Sequence, residues 1–394
     1  MAWIINAKAA QNLRNYKYVG SDNSLLYKYL LSPFAQYCVD TFVPSWMAPN
    51  VITLMGLLIE VFTLCVVMFY CPQFAGDENT PRWIYLLIAA SLLTYQTLDN
   101  MDGKQARKTG SSSPLGLIFD HGCDAVNAGV GALLSCTLFA IPAADTAAVL
   151  LACSLTSVPF YWATWEEYHL HALVLPWVNG PSEGVFGGAL CGILTFFVGP
   201  TWWHQTIYGV PLYLVPQLAC VFGWIVTIAV QTANVCRHVA KGARNKLGAI
   251  HPALSDLLPF VYLVYLGCAW LRDNPDLMAR CPHLALALLF LLTAEAEIAL
   301  MVAHCSGTRF TCWRPVLTPL AALWANTGIF KSPPVDPFYA LLAYFIAASI
   351  YFAFFVSRVV IEVKDALGIH AFSIKPRLPK TKQGAPLEEK AKAD

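Results

Sequence analysis

Residues 99–124 read Asp-Asn-Met-Asp-Gly-Lys-Gln-Ala-Arg, then eight residues, then Gly-Leu-Ile-Phe-Asp-His-Gly-Cys-Asp. Four aspartates and one arginine stand there at fixed spacings within a very apolar chain. Carboxylates at the edge of a membrane are expensive to hold, because low-dielectric surroundings disfavour their charge. A cluster of four therefore requires a compensating charge, and a divalent metal ion is the obvious candidate.

The composition is that of an integral membrane protein. Of the 394 residues, 57% are hydrophobic and 12% are charged, whereas soluble domains carry roughly 25% charged residues. A net charge of +1 argues against a nucleic-acid partner, which would require a basic patch. The 13 cysteines are scattered through apolar segments, where they serve as small apolar side chains rather than as a disulfide framework.

The apolar segments predict an all-α integral membrane fold with about ten transmembrane helices, since a hydrocarbon core of about 30 Å needs about 20 apolar helical residues. The predicted spans are 51–70, 82–98, 125–142, 147–165, 183–199, 211–231, 252–271, 284–304, 315–331 and 337–357. The ninth is the weakest, because Pro315, Pro319 and Asn326 interrupt it. No removable signal peptide is expected, because no short apolar run with a cleavage pattern opens the chain.

Three regions are predicted along the chain: an N-terminal interfacial arm at 1–49, a membrane domain at 50–360 and a cytosolic, largely disordered tail at 361–394. Within the arm, residues 27–42 are aromatic and are interrupted by Lys28 and Asp40. This pattern suits a helix that lies in the membrane interface, and an ordinary packed arm is the equal alternative. The tail is polar and rich in lysine and proline, which is typical of disorder.

Basic residues predict the orientation of the chain. With ten spans, the basic clusters before the first span and after the second, sixth and tenth spans all fall on one side, which is cytosolic by the positive-inside rule. Both termini and the aspartate cluster then face the cytosol. The members of these clusters are Lys8, Arg14, Lys17, Lys28, Lys104, Arg107, Lys108, Arg237, Lys241, Arg244, Lys246, Lys375, Arg377, Lys380 and Lys382.

The spacing of the aspartates predicts two helix faces that meet. One face, with residues at i, i+3, i+4 and i+7, carries Asp99, Asp102, Gly103 and Ala106. The next helix, with residues at i, i+4 and i+8, carries Gly116, Asp120 and Asp124. Residues at such offsets share a face, and the serine-rich segment 109–114 is typical of the turn between the two helices.

Four converging carboxylates favour hard divalent cations such as Mg²⁺, Mn²⁺ or Ca²⁺. Mg²⁺ is usually completed by phosphate oxygens of a substrate, and two such ions can clamp a displacement at phosphorus. Gly103, Ala106 and Gly116 leave this face without bulk, so that a phosphorylated ligand can approach, although close helix packing is an alternative use of small residues. Arg107 can grip phosphate oxygens or serve as a positively charged membrane anchor.

The pattern Asp-x2-Asp-Gly-x2-Ala-Arg-x8-Gly-x3-Asp-x3-Asp is complete here, and it resembles the signature of the CDP-alcohol phosphotransferases. Further segments resemble the eukaryotic choline/ethanolamine phosphotransferase branch, and they cover much of the membrane body. These segments are 46–53, 102–107, 111–116, 119–124, 165–169 and 179–184.

The resemblance implies the reaction and the roles of several residues. A diacylglycerol hydroxyl attacks the β-phosphorus of CDP-choline or CDP-ethanolamine, CMP leaves, and phosphatidylcholine or phosphatidylethanolamine forms. Two Mg²⁺ ions, with Mn²⁺ as an alternative, are held by Asp99, Asp102, Asp120 and Asp124. The implied substrate contacts are Arg107 to a phosphate and Asn50 to the nucleotide, while an N-cap role for the first span is a second use of Asn50. The resemblance also implies a homodimer in the endoplasmic reticulum or Golgi membrane.

The acceptor hydroxyl needs a base, and two residues compete for that role. A neutral imidazole near pH 7 suits the role, and His121 lies between two of the aspartates; the branch uses a histidine at this position. More distant members assign the role to the last aspartate of the motif, here Asp124, and we favour His121. The branch has glutamate where this chain has Leu117, so that either another carboxylate supports His121 or His121 is a weaker base.

Two alternative functions differ from this interpretation. In the first, the same chemistry uses another lipid acceptor, such as ceramide or an ether-linked glyceride, and the change at Leu117 is its sequence support. In the second, the chain is a cation transporter that uses the aspartates as an ion path. A transporter predicts polar residues through the depth of several spans, whereas these carboxylates cluster at one end.

Overall fold

The computed structural model describes residues 4–330 and 332–374, and most of these residues are helical. Mostly apolar stretches give the long helices, several of which begin at a proline, while short helices fill the connections. The helices are α1 (Ala7–Asn15), α2 (Ser32–Phe42), α3 (Pro49–Tyr70), α4 (Trp83–Thr109), α5 (Pro114–Leu138), α6 (Thr146–Leu170), α7 (Val185–Val198), α8 (Val215–Ala240), α9 (Lys246–Ser255), α10 (Leu258–Arg272), α11 (Pro275–Arg280), α12 (Pro282–Ser306), α13 (Pro319–Gly328) and α14 (Pro337–Leu367).

Shorter elements connect these helices. Single turns of π-helix cover Tyr27–Leu31 and Gly180–Gly184, and 3₁₀ turns cover Pro200–His204, Leu212–Leu214 and Pro315–Leu317. Strand β1 (Gly20–Asp22) pairs in parallel with β2 (Leu173–Leu175), so that Gly20 stands opposite Leu173. Strands β3 (Thr206–Ile207) and β4 (Val210–Pro211) form a small antiparallel hairpin.

The all-α membrane fold is confirmed, but the count of ten spans is not. By length and composition, six helical segments of the described chain can cross a membrane, or seven if the pair α9 and α10, bent by 49°, forms one span. The six are Pro49–Tyr70, Thr146–Leu170, Gly180–Val198, Leu212–Ala240, Pro282–Ser306 and Pro337–Leu367.

The remaining predicted spans fall short for different physical reasons. Helices α4 and α5 have 27 and 25 residues, but the polar residues of the 99–124 segment lower their hydropathy. The ninth predicted span, at 315–331, contains a helix of ten residues, Pro319–Gly328. At 1.5 Å per residue that helix is about 15 Å long, which is half of a hydrocarbon core.

Helix α12 forms the centre of the bundle. In its most apolar 18-residue window, 78% of the residues are buried, against 6% in the segment that contains α8. Helix α12 packs against α5, α6 and α14, while α3, α4 and α7 pack together on the other side of α5. Helix α5 therefore lies between both groups, and its side chains line the interior of the bundle.

The N-terminal arm packs on the end of α14. The backbone N–H groups of Ile4 and Ile5 donate to the Glu362 carboxylate at 2.7 and 2.9 Å, and the Arg14 guanidinium donates to the Ala366 carbonyl. Helix α14 continues to Leu367, past the predicted tail boundary at 361, and 375–394 of the predicted tail lie outside the described residues. That residues 27–42 lie in the membrane interface stays a prediction.

Candidate active site

The site begins with the turn that joins α4 to α5. Helix α4 ends at Gly110, whose φ of +63° is a left-handed conformation that glycine adopts without strain. Helix α5 then begins at Pro114, and the Ser113 hydroxyl caps it by accepting from the Gly116 N–H at 3.1 Å. The two helices therefore form a hairpin, as the serine-rich segment predicted.

This hairpin brings the aspartates together. One carboxylate oxygen from each of Asp99, Asp120 and Asp124 lies within 4.8 Å of the others, which is close enough for them to share a metal ion. The Thr53 hydroxyl of α3 donates to Asp102, and the Tyr95 hydroxyl donates to Asp124. Asp102 is buried, with 7% of its surface exposed.

The donor set fits a divalent cation. Asp120 Oδ1 is buried and has no hydrogen-bond partner among the described residues. In the same part of the chain, no lysine or arginine forms an ion pair with any of the four aspartates. Buried carboxylates without a partner repel one another, and oxygen ligands suit Mg²⁺, Mn²⁺ or Ca²⁺. The four aspartates could therefore hold such ions.

The small residues and Arg107 form the open side of the site. A Cβ atom at Gly103 would lie 3.4 Å from Arg107 Nη1, so that the exposed guanidinium folds over Gly103. A Cβ atom at Gly116 would lie 3.7 Å from Asn50 Oδ1, and Ala106 is partly exposed. Gly103 and Gly116 thus lie beside the two side chains expected to contact a nucleotide.

Asn50 does not cap α3, so this part of the sequence interpretation was wrong. The N-cap residue is Ala48, which makes no side-chain cap, because Pro49 occupies the first helical position and Asn50 is already inside the helix. The Asn50 amide instead donates to the Ala371 carbonyl at 2.9 Å. The next residue, Phe372, contacts the Phe119 ring edge-on at 5.4 Å. The chain after α14 therefore lies against the mouth of the site.

His121 lies on α5 beside the aspartates, and its side chain is 12% exposed. Its Nδ1 atom lies 3.7 Å from Glu167 Oε2 of α6, a contact that sequence reasoning missed. Leu117, one turn earlier, packs against an apolar cluster that includes Ile118 and Val359. Tyr95 was also missed, although its position four residues before Asp99 puts both on one helix face.

The N-terminal arm and the loop after α6 meet near the site. Asp22 accepts from the Asn179 amide and the Ser182 hydroxyl, each at 2.9 Å. Gln96 of α4 donates to the Ser182 carbonyl at 2.9 Å, one turn before Asp99. Tyr18 of the arm is half-exposed, and partial burial together with the nearby carboxylates of Glu167 and Asp120 raises its pKa above the ordinary phenol value.

Comparison with known proteins finds one family and several relatives that match the sequence of this chain. The family described as CDP-alcohol phosphatidyltransferase matches residues 46–233. The chain is similar to choline/ethanolaminephosphotransferases 1 and 2 of Arabidopsis thaliana, with 35% and 36% identity; each match covers 94% of this chain and 98% of the relative. It is also similar to ethanolaminephosphotransferase 1 of Homo sapiens, with 29% identity over 91% of this chain and 92% of that protein. The matched residues include the whole α4–α5 hairpin.

Proposed function

Because the chain belongs to the CDP-alcohol phosphotransferase family and is a transferase of that class, we propose that it transfers phosphoethanolamine, phosphocholine or both to diacylglycerol. CDP-ethanolamine or CDP-choline is the donor, and CMP and a phospholipid are the products. The observation that carries the proposal is the meeting of Asp99, Asp120 and Asp124 within 4.8 Å, with Arg107 folded over Gly103 on α4. The names of the relatives support the head groups.

Asp99, Asp102, Asp120 and Asp124 would hold two Mg²⁺ ions, with Mn²⁺ as the alternative. Bound there, such ions would neutralise the pyrophosphate and the charge that develops on departing CMP. The Thr53 and Tyr95 hydroxyls hold two of the carboxylates in fixed positions by donating to Asp102 and Asp124.

The substrate-binding residues we propose are Asn50, Gly103, Ala106, Arg107 and Gly116. The planar guanidinium of Arg107 matches two phosphate oxygens at once. Gly103 and Gly116 allow the pyrophosphate to approach the helix backbones, because neither carries a side chain. The Asn50 amide, at the start of α3, would contact the nucleotide.

His121 is the proposed base. The acceptor hydroxyl oxygen forms a bond to the β-phosphorus, the bond from that phosphorus to the bridging oxygen breaks, and CMP leaves with the bridging oxygen. The hydroxyl proton passes to His121. Asp124 is the less favoured base, because it already accepts from the Tyr95 hydroxyl and belongs to the metal-binding set.

We also propose that the chain crosses the membrane ten times, by the seven apolar segments, α4, α5 and the short α13, where a locally thinned bilayer accommodates a short helix. Its site and both termini then face the cytosol. Helices α4 and α5, with 27 and 25 residues, are each more than 35 Å long by the rough rule of 1.5 Å per residue and would cross together with the apolar segments. The shared side of the basic clusters supports this orientation. A homodimer in the endoplasmic reticulum or Golgi membrane follows from the family resemblance.

The test is a head-group assay on the purified protein in bilayer nanodiscs that contain diacylglycerol. CDP-choline and CDP-ethanolamine are compared, each with Mg²⁺ and with Mn²⁺, and both CMP and the lipid product are measured. We expect one CMP per phospholipid, and we expect Asp102→Asn, which removes a proposed metal ligand, to abolish both. Near-normal turnover in that variant would be incompatible with the proposed site.

The acceptor is tested in the same assay. Ceramide and an ether-linked glyceride replace diacylglycerol, because Leu117 distinguishes this chain from the choline/ethanolamine branch and motivates a different acceptor. Faster product formation with either lipid would identify the acceptor as that lipid while leaving the chemistry unchanged. Failure of wild-type protein to release CMP with every acceptor, together with cation flux lost in Asp120→Ala, would favour a transporter.

A further inference from the structure

One buried carboxylate faces two histidines beside the proposed site. Glu167 of α6 lies with Oε2 at 3.7 Å from His121 Nδ1 and with Oε1 at 3.6 Å from His304 Nε2. His121 comes from α5 and His304 from α12. Three helices that are distant in sequence therefore contribute to one polar cluster, which we call the Glu167 cluster: His121, Glu167 and His304.

The Glu167 cluster is nearly sealed from solvent. The side chains of Glu167 and His304 are each 1% exposed. Within the described residues, neither oxygen of Glu167 nor Nδ1 of His121 has a hydrogen-bond partner within 3.5 Å. A buried carboxylate without a partner is costly, and the two imidazoles lie within 4 Å of its oxygens. Hydrogen bonds of catalytic groups are often long before substrate binds and shorten in the complex.

The far side of the cluster is fixed in place. The Tyr16 hydroxyl of the N-terminal arm lies 2.8 Å from His304 Nε2, and the His171 ring stacks on the His304 ring at 5.5 Å. Because Tyr16 and His171 both contact His304, the imidazole beside Glu167 Oε1 is held in place. The second oxygen of Glu167 is directed towards His121.

Helix α5 does not itself supply a carboxylate at this point. The residue four positions before His121 is Leu117, whose side chain packs in the apolar cluster with Ile118 and Val359. The carboxylate nearest to His121 Nδ1 among its ion-pair contacts therefore comes from the neighbouring helix, at Glu167.

We propose that Glu167 is a positioning residue for His121. Its carboxylate accepts the Nδ1 proton of His121, which fixes the ring orientation and leaves Nε2 unprotonated and free to accept the hydroxyl proton of the lipid acceptor. The proposal rests on the proposed function, in which His121 is the base. It assigns to the α6 helix a role in the reaction that the motif at 99–124 does not contain.

The experiment is a double-mutant cycle on the full chain in nanodiscs, with kcat and KM for CDP-ethanolamine or CDP-choline measured for each variant. Glu167→Leu keeps the volume and removes the acceptor, and we expect kcat to fall roughly tenfold to hundredfold while KM stays within about twofold, because Glu167 does not touch the nucleotide. Glu167→Gln keeps an oxygen acceptor and should recover most of kcat. In the His121→Ala background, Glu167→Leu should cause no further loss.

The control is Glu60→Gln, a change at another fully buried glutamate, on α3, and it should leave kcat unchanged. The thermal midpoint of each variant separates loss of function from loss of folding. If Glu167→Leu fails to fold, Glu167→Ala, which also lacks an acceptor, takes its place in the same cycle. Additive losses in the cycle, or a raised KM with an unchanged kcat, would overturn the positioning role while the transferase function stands. Full activity of His121→Ala would overturn the positioning role and the base assignment together.

Discussion

Two sets of carboxylates in this molecule, Glu295 and the aspartates of the α4–α5 hairpin, are compensated in different ways. Glu295 on α12 is 1% exposed and accepts from both Nε and Nη2 of Arg314, so the chain itself supplies the positive charge. The aspartates of the α4–α5 hairpin have no lysine or arginine partner among the described residues. Burial alone therefore does not identify a reactive acid. The hairpin differs in that several carboxylates converge within 4.8 Å with no lysine or arginine paired to them in the described part of the chain, and such a cluster calls for an external cation.

The largest expected effect comes from the hairpin aspartates, which have no lysine or arginine partner among the described residues. Asp120→Ala should lower kcat at least about a thousandfold, which corresponds to about 4 kcal/mol of transition-state stabilisation, because it removes a proposed metal ligand. Without added metal, the same change should leave the thermal midpoint equal or higher, since it relieves repulsion between like charges. A large fall in that midpoint would show that the aspartates are compensated within the fold, and the contrast with Glu295 would fail.

The Glu295–Arg314 pair should respond in the opposite way, losing stability rather than activity. Arg314→Leu leaves Glu295 buried without its partner, and we expect the free energy of unfolding to fall by about 3 kcal/mol, while kcat per folded molecule changes little. Chemical or thermal unfolding in detergent measures this change. The double variant Glu295→Leu/Arg314→Leu is the matched control and should recover much of the stability. A loss of turnover at unchanged stability would mean that this pair also serves the reaction.

Adding Mg²⁺ distinguishes the hairpin aspartates from the Glu295–Arg314 pair. At a free Mg²⁺ concentration of 100 times its dissociation constant, the wild-type protein should gain about 2.7 kcal/mol of unfolding free energy. Asp99→Asn should lose most of this gain, whereas Arg314→Leu should retain it. An equal gain in Asp99→Asn would mean that the ion binds elsewhere.

The smallest effect compares two arginines. Arg314 serves a carboxylate of the chain, whereas Arg107 is exposed beside Gly103 and would serve the phosphates of a substrate. Arg107→Lys keeps the charge but loses the two-pronged geometry, and we expect KM for the CDP-alcohol to rise roughly tenfold, or about 1.4 kcal/mol. An unchanged KM would reduce Arg107 to a charged anchor at the membrane surface.

The sequence predicted what depends on local spacing. Asp99 and Asp120 lie on adjoining helix faces because i, i+3 and i+4 offsets define a face, and the serine-rich turn ends α4 before α5 begins at Pro114. Glu167 and His304 were beyond reach, since their helices meet α5 only through tertiary packing. The N-cap of α3 was misassigned because Pro49 already occupies the first helical position. The ten-residue length of α13 was also missed, because composition does not measure helix length.

The parallel pairing of β1 with β2 has a consequence for biosynthesis. Residues 20–22 leave the ribosome long before residues 173–175 exist, and the Glu362 carboxylate that binds the Ile4 and Ile5 amides is made later still. The N-terminal arm therefore has to wait, unpaired, while the helices insert one after another. Strand β1 can pair once residues 173–175 are made, whereas Ile4 and Ile5 reach Glu362 only when translation is nearly finished. We therefore expect a fusion tag at the N-terminus to disturb assembly more than its distance from the aspartates in sequence implies.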